Sequence, residues 1–151
     1  MKILIATDGS EFSKDAIEKC CKMISMQKAS IRIVSVVEPV TPMAAEPFAI
    51  SAEYMRETQD ALLKQAEAFV ADAGNLVEEK TQSFSIDLSS RVMVGNPARA
   101  VVEEAQDWSA DLIVVGSHGY GFWGRMVIGS VSQAVINHAP CSVLVVRHPK
   151  N

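Results

Sequence analysis

The sequence contains little of what defines disulfide-rich, membrane-spanning or disordered chains. Its three cysteines, Cys20, Cys21 and Cys141, lack C-x-x-C spacing, so we interpret them as reduced core thiols without a metal or redox role. No apolar run reaches the ~20 residues that a membrane-spanning helix needs. With only 6 prolines and 8 glycines, the chain is expected to fold throughout its length.

Basic residues are also few, and they are scattered. The 14 Lys and Arg residues stand against 18 Asp and Glu residues, which gives a net charge of -4 and no cationic cluster. This balance argues against a nucleic-acid partner. The apolar run Ile3-Leu4-Ile5 near the N-terminus is too short for the core of a signal peptide. We therefore expect a cytoplasmic protein that binds neither nucleic acid nor membrane.

Apolar runs typical of buried strands alternate with amphipathic stretches typical of helices. The predicted strands are Lys2–Thr7, Ile31–Val37, Ser85–Val94, Leu112–Val115 and Ser142–Val146. The predicted helices start near Ser10, Ala52, Pro97 and Ser130. This alternation, over 151 residues with no linker, predicts one α/β domain spanning residues 1–151: an open, doubly wound, five-stranded parallel sheet with helices on both faces, Rossmann-like.

The helical stretches have recognisable apolar stripes and boundaries. In the first, the spacing of three and four residues predicts that Met23 faces the core. The second runs from Ala52 to about Lys80, with Gly74 as a weak point or an early stop. The third starts at Asn96-Pro97, where Asn can cap free amides and Pro has no amide hydrogen to leave unpaired.

The most informative stretch is Leu112–Ser132, in which a short strand gives way to glycines. After the strand come Gly116, Gly119, Gly121 and Gly124, and then Gly129-Ser130 opens a helix. Glycine lets a backbone approach a ligand closely or adopt positive φ. The first amides of a helix have no partners within it and form an anion site. The stretch therefore predicts a phosphate-binding loop, with a long surface turn as the alternative.

Asp8 directly follows the first strand, at the edge of the sheet where ligands of α/β proteins collect. Its carboxylate suits a ribose hydroxyl or a hydrated Mg²⁺. The alternative is that Asp8 only caps the following helix, and Ser130 likewise could be only an N-cap.

The spacing Gly116-x2-Gly119-x9-Gly129-Ser130, followed by Val131-Ser132, resembles the nucleotide-binding signature of the ATP-binding branch of the universal stress protein (UspA) family. Met1–Ser10, Arg91–Pro97 and Asp111–Arg147 also carry the pattern of this family. The resemblance implies the strand order 3-2-1-4-5, so that Asp8 and Gly116 flank one crevice. It also implies a homodimer formed through the last strand: Ser142, Val143, Leu144, Val145 and Val146.

The resemblance further implies a site for ATP. The nucleoside would contact Ala6, Thr7, Asp8, Val36, Val115 and Gly116, with Val36 on the adenine. The phosphates would contact Gly119, Gly129, Ser130, Val131 and Ser132. From their chemistry rather than from the resemblance, His118 and Arg125 are added beside the phosphates, where Arg125 can neutralise charge. No side chain is expected to ligate a metal directly, and Mg²⁺ would be held through the phosphates and Asp8. The loop aromatics Tyr120, Phe122 and Trp123 have no assigned role.

Several function classes stay open at this stage. The chain has no GxxxxGK[ST] motif, and no Ser-His-Asp or Cys-His set can be placed around His118, so we favour binding over turnover. The first hypothesis is an ATP-binding stress-response regulator acting through its dimer or other proteins. The alternatives are a slow ATP hydrolase or nucleotidyl-transfer enzyme, and a dimerisation module without nucleotide. The sequence does not distinguish ATP from ADP, AMP or a cyclic nucleotide.

Overall fold

The computed structural model describes residues 1–23, 28–41, 51–82, 85–118 and 128–147, which alternate between strands and helices. The strands are β1 (Lys2–Ala6), β2 (Ser30–Val37), β3 (Asp87–Val94), β4 (Leu112–Gly116) and β5 (Ser142–Val146). The helices are α1 (Glu11–Met23), α2 (Ala52–Lys80), α3 (Pro97–Asp107) and α4 (Ser130–His138). Each lies where the sequence predicts it, with small differences at the ends.

The five strands form a parallel sheet in the order β3-β2-β1-β4-β5, which confirms the predicted topology. β1 is central: Ile3 pairs with Ile31 of β2 on one side and with Leu112 of β4 on the other. The run Ile3-Leu4-Ile5 is fully buried, as a strand covered on both faces requires. The carboxyl ends of β1 and β4 therefore lie side by side, at the point where the strand order reverses.

Helices cover both faces of the sheet over two hydrophobic cores. Ile3 and Ile5 belong to the core under α1 and α2, whereas Leu4 belongs to the core under α3 and α4. The division follows from the alternation of side chains along a strand. Burial of each such side chain contributes about 1.5–3 kcal/mol, and together they hold the strand ends in fixed positions.

α1 departs from its predicted stripe at its last turn. Ser13, Ala16, Ile17 and Cys20 are buried, but Met23 is 63% exposed, so the prediction that Met23 faces the core is wrong. At 100° per residue, Met23 points roughly 70° away from the mean direction of the buried residues.

α2 is continuous over 29 residues, so Gly74 does not stop it. The buried residues Ala73 and Val77 flank this glycine and keep the helix packed on the sheet. Ser51 caps the helix by accepting a hydrogen bond from the amide of Tyr54 at 3.1 Å. Neither α2 nor any other helix in the described ranges combines the length and the apolar character needed to cross a bilayer.

α3 starts as predicted. The Asn96 side chain accepts a hydrogen bond from the amide of Arg99 at 3.1 Å, and Pro97 occupies the first turn. The helix ends at Asp107, and Trp108 follows as its C-cap. The guanidinium of Arg32 on β2 lies 4.4 Å from the centre of the Trp108 ring, which ties the end of α3 to the sheet.

Candidate functional site

A cavity of about 680 Å³ opens at the carboxyl edge of the sheet, around the ends of β1, β2 and β4. Its lining comes from these strand ends, from α1 and α2, and from the N-terminal parts of α3 and α4. Sites for small molecules typically have volumes of about 300–1,000 Å³. The cavity therefore has room for a ligand the size of a nucleotide.

Eleven of the thirteen residues predicted for the site line this cavity. They are Ala6, Thr7, Asp8, Val36, Val115, Gly116, His118, Gly129, Ser130, Val131 and Ser132. The other two, Gly119 and Arg125, lie outside the described residues, as do the loop aromatics Tyr120, Phe122 and Trp123. The fold thus brings the start of the chain and the segment before the last strand to one place.

The floor of the cavity is apolar. Val36 is the residue before the last in β2, and Val115 holds the same place in β4, where only 4% of its surface is exposed. Val34 and Val101 line the cavity between them. Side chains of this kind offer flat contact to a planar ring and no hydrogen-bonding group, so they select for shape more than for base identity.

Asp8 is held in a tight turn at the cavity wall. Its Oδ1 accepts hydrogen bonds from the amide of Ser10 at 3.1 Å and from the Ser10 hydroxyl at 2.6 Å. The Ser10 hydroxyl oxygen in turn accepts a hydrogen bond from the amide of Ser13 at 3.3 Å. Ser10 therefore caps α1 through the amide of Ser13, and Asp8 holds this cap residue in place through its Oδ1.

The Thr7 hydroxyl is bonded within the protein in both directions. It donates to the Ser13 hydroxyl at 3.1 Å and accepts from the amide of Gly9 at 3.2 Å. The Ser13 hydroxyl in turn donates a hydrogen bond to the carbonyl of Ser10 at 2.8 Å. These bonds fix the turn around Asp8, so Thr7 shapes the cavity wall through its position.

The first turn of α4 also lines the cavity. Gly129 is the N-cap and Ser130 the first helical residue, so the alternative in which Ser130 caps the helix is wrong. The helix supplies no acceptor for the amides of residues 130–132, and its dipole is positive at this end. The Ser132 hydroxyl donates to the carbonyl of Gly116 at 2.7 Å and joins this turn to β4. This geometry suits an anion.

The end of β4 is in direct contact with the start of α1. A Cβ on Gly116 would lie 2.8 Å from both the carbonyl carbon and the oxygen of Phe12, which explains the glycine here. Beyond it, the amide of Ser117 donates to Val146 at 2.7 Å, and the carbonyl of Ser117 accepts from Gly129 at 2.8 Å. Ser117 therefore connects β5 to the first turn of α4.

His118 lies in the cavity wall next to this connection. Its Nδ1 is 3.0 Å from the hydroxyl of Ser117, and its ring centre is 5.3 Å from that of Phe12. Which of the two atoms donates in this hydrogen bond depends on the tautomer of the histidine. The two contacts orient the imidazole at the cavity edge.

Sequence reasoning missed several lining residues. Glu38 directly follows β2, so the rule that identified Asp8 could have found it. Leu62, Gln65 and Phe69 lie on α2, and only the packing of this helix shows that they reach the cavity. The described lining includes two carboxylates, Asp8 and Glu38, but no Lys or Arg. An anionic ligand would need the α4 amides or a bound cation to offset these charges.

Phe69 packs against the turn that holds Asp8. Gly9 has φ +76°, and a Cβ at this position would lie 2.3 Å from Cδ1 of the Phe69 ring. The positive φ and the ring contact both require glycine. α2 is thereby fixed against the end of β1.

The three cysteines are free thiols away from the lining of this cavity. Burial, with a smaller contribution from Cys21, raises the pKa of the Cys20 thiol to about 12. Burial also raises the pKa of Cys21 and of Cys141 above their usual range. Thiols of this kind stay protonated at neutral pH and are poor nucleophiles.

Comparison with known sequences gives a consistent result. A family model described as "Universal stress protein family" matches residues 1–147. A universal stress protein of Methanocaldococcus jannaschii is 34% identical over 149 residues, which cover 99% of this chain and 83% of that protein. A universal stress protein of Thermus aquaticus is 34% identical over 145 residues, which cover 96% of this chain and 97% of that protein.

Solved structures share the fold. The universal stress protein UspA from Lactobacillus plantarum superposes with a TM-score of 0.80 at 23% identity, covering 97% of each chain. A universal stress protein in complex with cAMP gives 0.68 at 23% identity, covering 99% of this chain and 98% of the other. A universal stress protein family protein from Arabidopsis thaliana with AMP bound superposes with a TM-score of 0.60 at 20% identity. The match covers 99% of this chain and 92% of the other.

Proposed function

The chain belongs to the universal stress protein family, and from this premise we propose that it is an ATP-binding member of it. In this proposal residues 1–151 form one nucleotide-binding domain, a stress-response regulator whose occupancy by nucleotide alters its dimer or its contacts with other proteins. The observation that carries the proposal is the convergence of Asp8, Gly116 and Gly129 on one cavity of about 680 Å³.

The apolar floor supports a purine as the base. Val36 and Val115 line the cavity and are held by the sheet, and in this proposal they would contact the planar ring of the base. These residues would accept any purine. The preference for adenine is supported by the relatives solved with cAMP and AMP.

The first turn of α4 supports a phosphate group at the other end of the cavity. The amides of residues 130–132 would hold phosphate oxygens, and Asp8 would bind a ribose hydroxyl or the hydration shell of Mg²⁺. When bound, Mg²⁺ would neutralise part of the phosphate charge. Because Asp8 and Glu38 are the charged residues in the described lining, we propose that ATP binds as its magnesium complex.

Calorimetric titration of the nucleotide-free protein with ATP and Mg²⁺ tests this proposal. We expect a dissociation constant of about 1 μM, or about 8 kcal/mol of binding free energy. The variant Gly129→Val should bind at least ~100-fold more weakly, because its side chain would stand over the α4 amides. It should still fold, since φ -58° and ψ 152° at Gly129 are open to any residue.

Ser130→Ala is the matched control, because it removes a hydroxyl but keeps the amide that faces the cavity. We expect its affinity for ATP to change by less than about fivefold. Absence of heat with every protein, together with no thermal stabilisation by millimolar ATP, would contradict the proposal. The chain would then be a family member that acts without nucleotide.

We also propose a homodimer through β5. This strand lies at one edge of the sheet and pairs with β4 on one side, and its residues Val143, Leu144 and Val145 are partly exposed. An apolar edge of this kind favours pairing with a second strand. At micromolar concentration we expect sedimentation as a dimer for the native chain and as a monomer for Val143→Lys. The control is Tyr54→Lys, which changes an exposed side chain on α2 and should leave the dimer intact. A monomeric native chain would contradict the proposal.

A further inference from the structure

A second cavity, of about 370 Å³, lies between α1 and α2. It shares Thr7 and Phe69 with the larger cavity, and Gly9 forms part of its wall. The Phe69 ring therefore stands between the two spaces, with one side against the turn that holds Asp8. The role proposed for the larger cavity leaves this second space unexplained.

The inner part of the second cavity is apolar. Ile17 of α1 is fully buried and Ala73 of α2 is 5% exposed, whereas Leu76 and Phe69 are half-buried. The volume is near the lower end of the range for small-molecule sites, about 300 Å³. It suits one ring or a short branched chain.

The rim of the second cavity is polar and carries an excess of negative charge. Lys14 pairs with Glu11 at 2.8 Å and Glu79 pairs with Lys80 at 3.0 Å, so these charges are offset locally. Asp72 forms no ion pair with any residue in the described ranges. Because Asp72 and Leu76 lie one turn apart on α2, the exposed carboxylate of Asp72 stands beside the apolar part of the cavity.

We propose that this cavity binds a small amphipathic amine. The ammonium group would lie against Asp72, and the apolar group would contact Phe69, Ala73 and Leu76. A carboxylic acid of the same size would meet repulsion from Asp72, and a neutral molecule would lack the ion pair. This inference does not rest on nucleotide binding, because Asp72, Ala73 and Leu76 line the second cavity and not the larger one.

The test uses the full chain, labelled with ¹⁵N, and three probes of nearly equal size: 2-phenylethylammonium, 2-phenylethanol and 3-phenylpropanoate. We expect the ammonium probe to shift the amide signals of Gly9, Ala73 and Leu76 with a dissociation constant of about 1 mM, consistent with its few heavy atoms. The alcohol should bind about fivefold more weakly and the carboxylate more weakly still.

Asp72→Asn should bring the affinity for the ammonium probe down to that for the alcohol. Asp60→Asn is the matched control, because it makes the same change on an α2 residue that lines neither cavity, and it should leave the preference intact. Equal affinity for the three probes, a preference that survives Asp72→Asn, or shifts confined to Val36 and Val115 of the larger cavity would each overturn the proposal.

Discussion

Gly116→Ala is expected to lower the free energy of unfolding by about 3 kcal/mol, the upper end of the usual cost of overpacking. The added methyl group would lie 2.8 Å from the carbonyl carbon and oxygen of Phe12, and neither is the end of a flexible side chain. Relief requires α1 to move away from β4, across an interface whose residues Ile17 and Val114 are fully buried. Urea denaturation measures the change, and the midpoint of thermal unfolding should fall by about 6–12 °C.

Gly74→Ala is the matched control for this substitution. A Cβ at position 74 would have its nearest neighbour, Cδ2 of Leu88, at 3.9 Å, which is an ordinary contact. Within a helix, Ala is favoured over Gly by about 0.5–1 kcal/mol, so this variant should be more stable than the native chain. If both variants shifted stability in the same direction, the contact between β4 and Phe12 would not be the reason for glycine at 116.

Glu104→Gln is expected to cost about 3 kcal/mol, because it removes the anion from a buried cluster of charges. Glu104 on α3 is 4% exposed, and its two oxygens accept from Arg32 and Arg91, each at 2.7 Å. Arg32 also stacks on Trp108, so it cannot turn freely to water when its partner is lost. The more exposed Arg91 can rehydrate, which places the cost at the lower end of values for buried pairs.

The neighbouring residue provides the control for this prediction. Glu103 pairs with Arg99 at 2.7 Å, but both side chains are largely exposed. Glu103→Gln should therefore cost no more than about 0.5 kcal/mol, and 0.5 M salt should remove most of that effect. Equal costs for the two substitutions in chemical denaturation, or equal loss of both costs in salt, would contradict the view that burial makes the Glu104 cluster important.

The strands of the sheet could be predicted because the apolar pattern of a strand indicates which of its faces are buried. Ile3-Leu4-Ile5 is apolar at every position, as a strand with helices on both faces must be. The signal for a helix start is also local in the sequence. The capping side chain of Asn96 and the missing amide hydrogen of Pro97 together mark the start of α3. The prediction for Met23 was wrong because the spacing of apolar residues does not determine how wide the buried face of a helix is. That width depends on what packs against the last turn.

The site could be predicted only in part, for a related reason. Asp8 and Gly129 follow from strand ends and a helix start, which are visible along the chain. Phe69 and Gln65 lie in the middle of a long helix, and their place at the cavity depends on how far α2 extends over the edge of the sheet. The role of Ser10 was also hidden, because Asp8 and Ser10 are both residues that cap helices, and only the folded backbone shows that the Ser10 hydroxyl accepts from the amide of Ser13.

The central position of β1 has a consequence for how the chain is made. Ile3 of this strand pairs with Leu112, which leaves the ribosome only after another hundred or so residues, roughly 5–20 s later at ordinary rates of synthesis. During this time β2 and β3 can join one side of β1 while its other side stays open and apolar. The nascent chain is therefore most exposed to mispairing, and most in need of chaperones, before residue 112 emerges, and a ligand of the larger cavity can assist only the finished molecule.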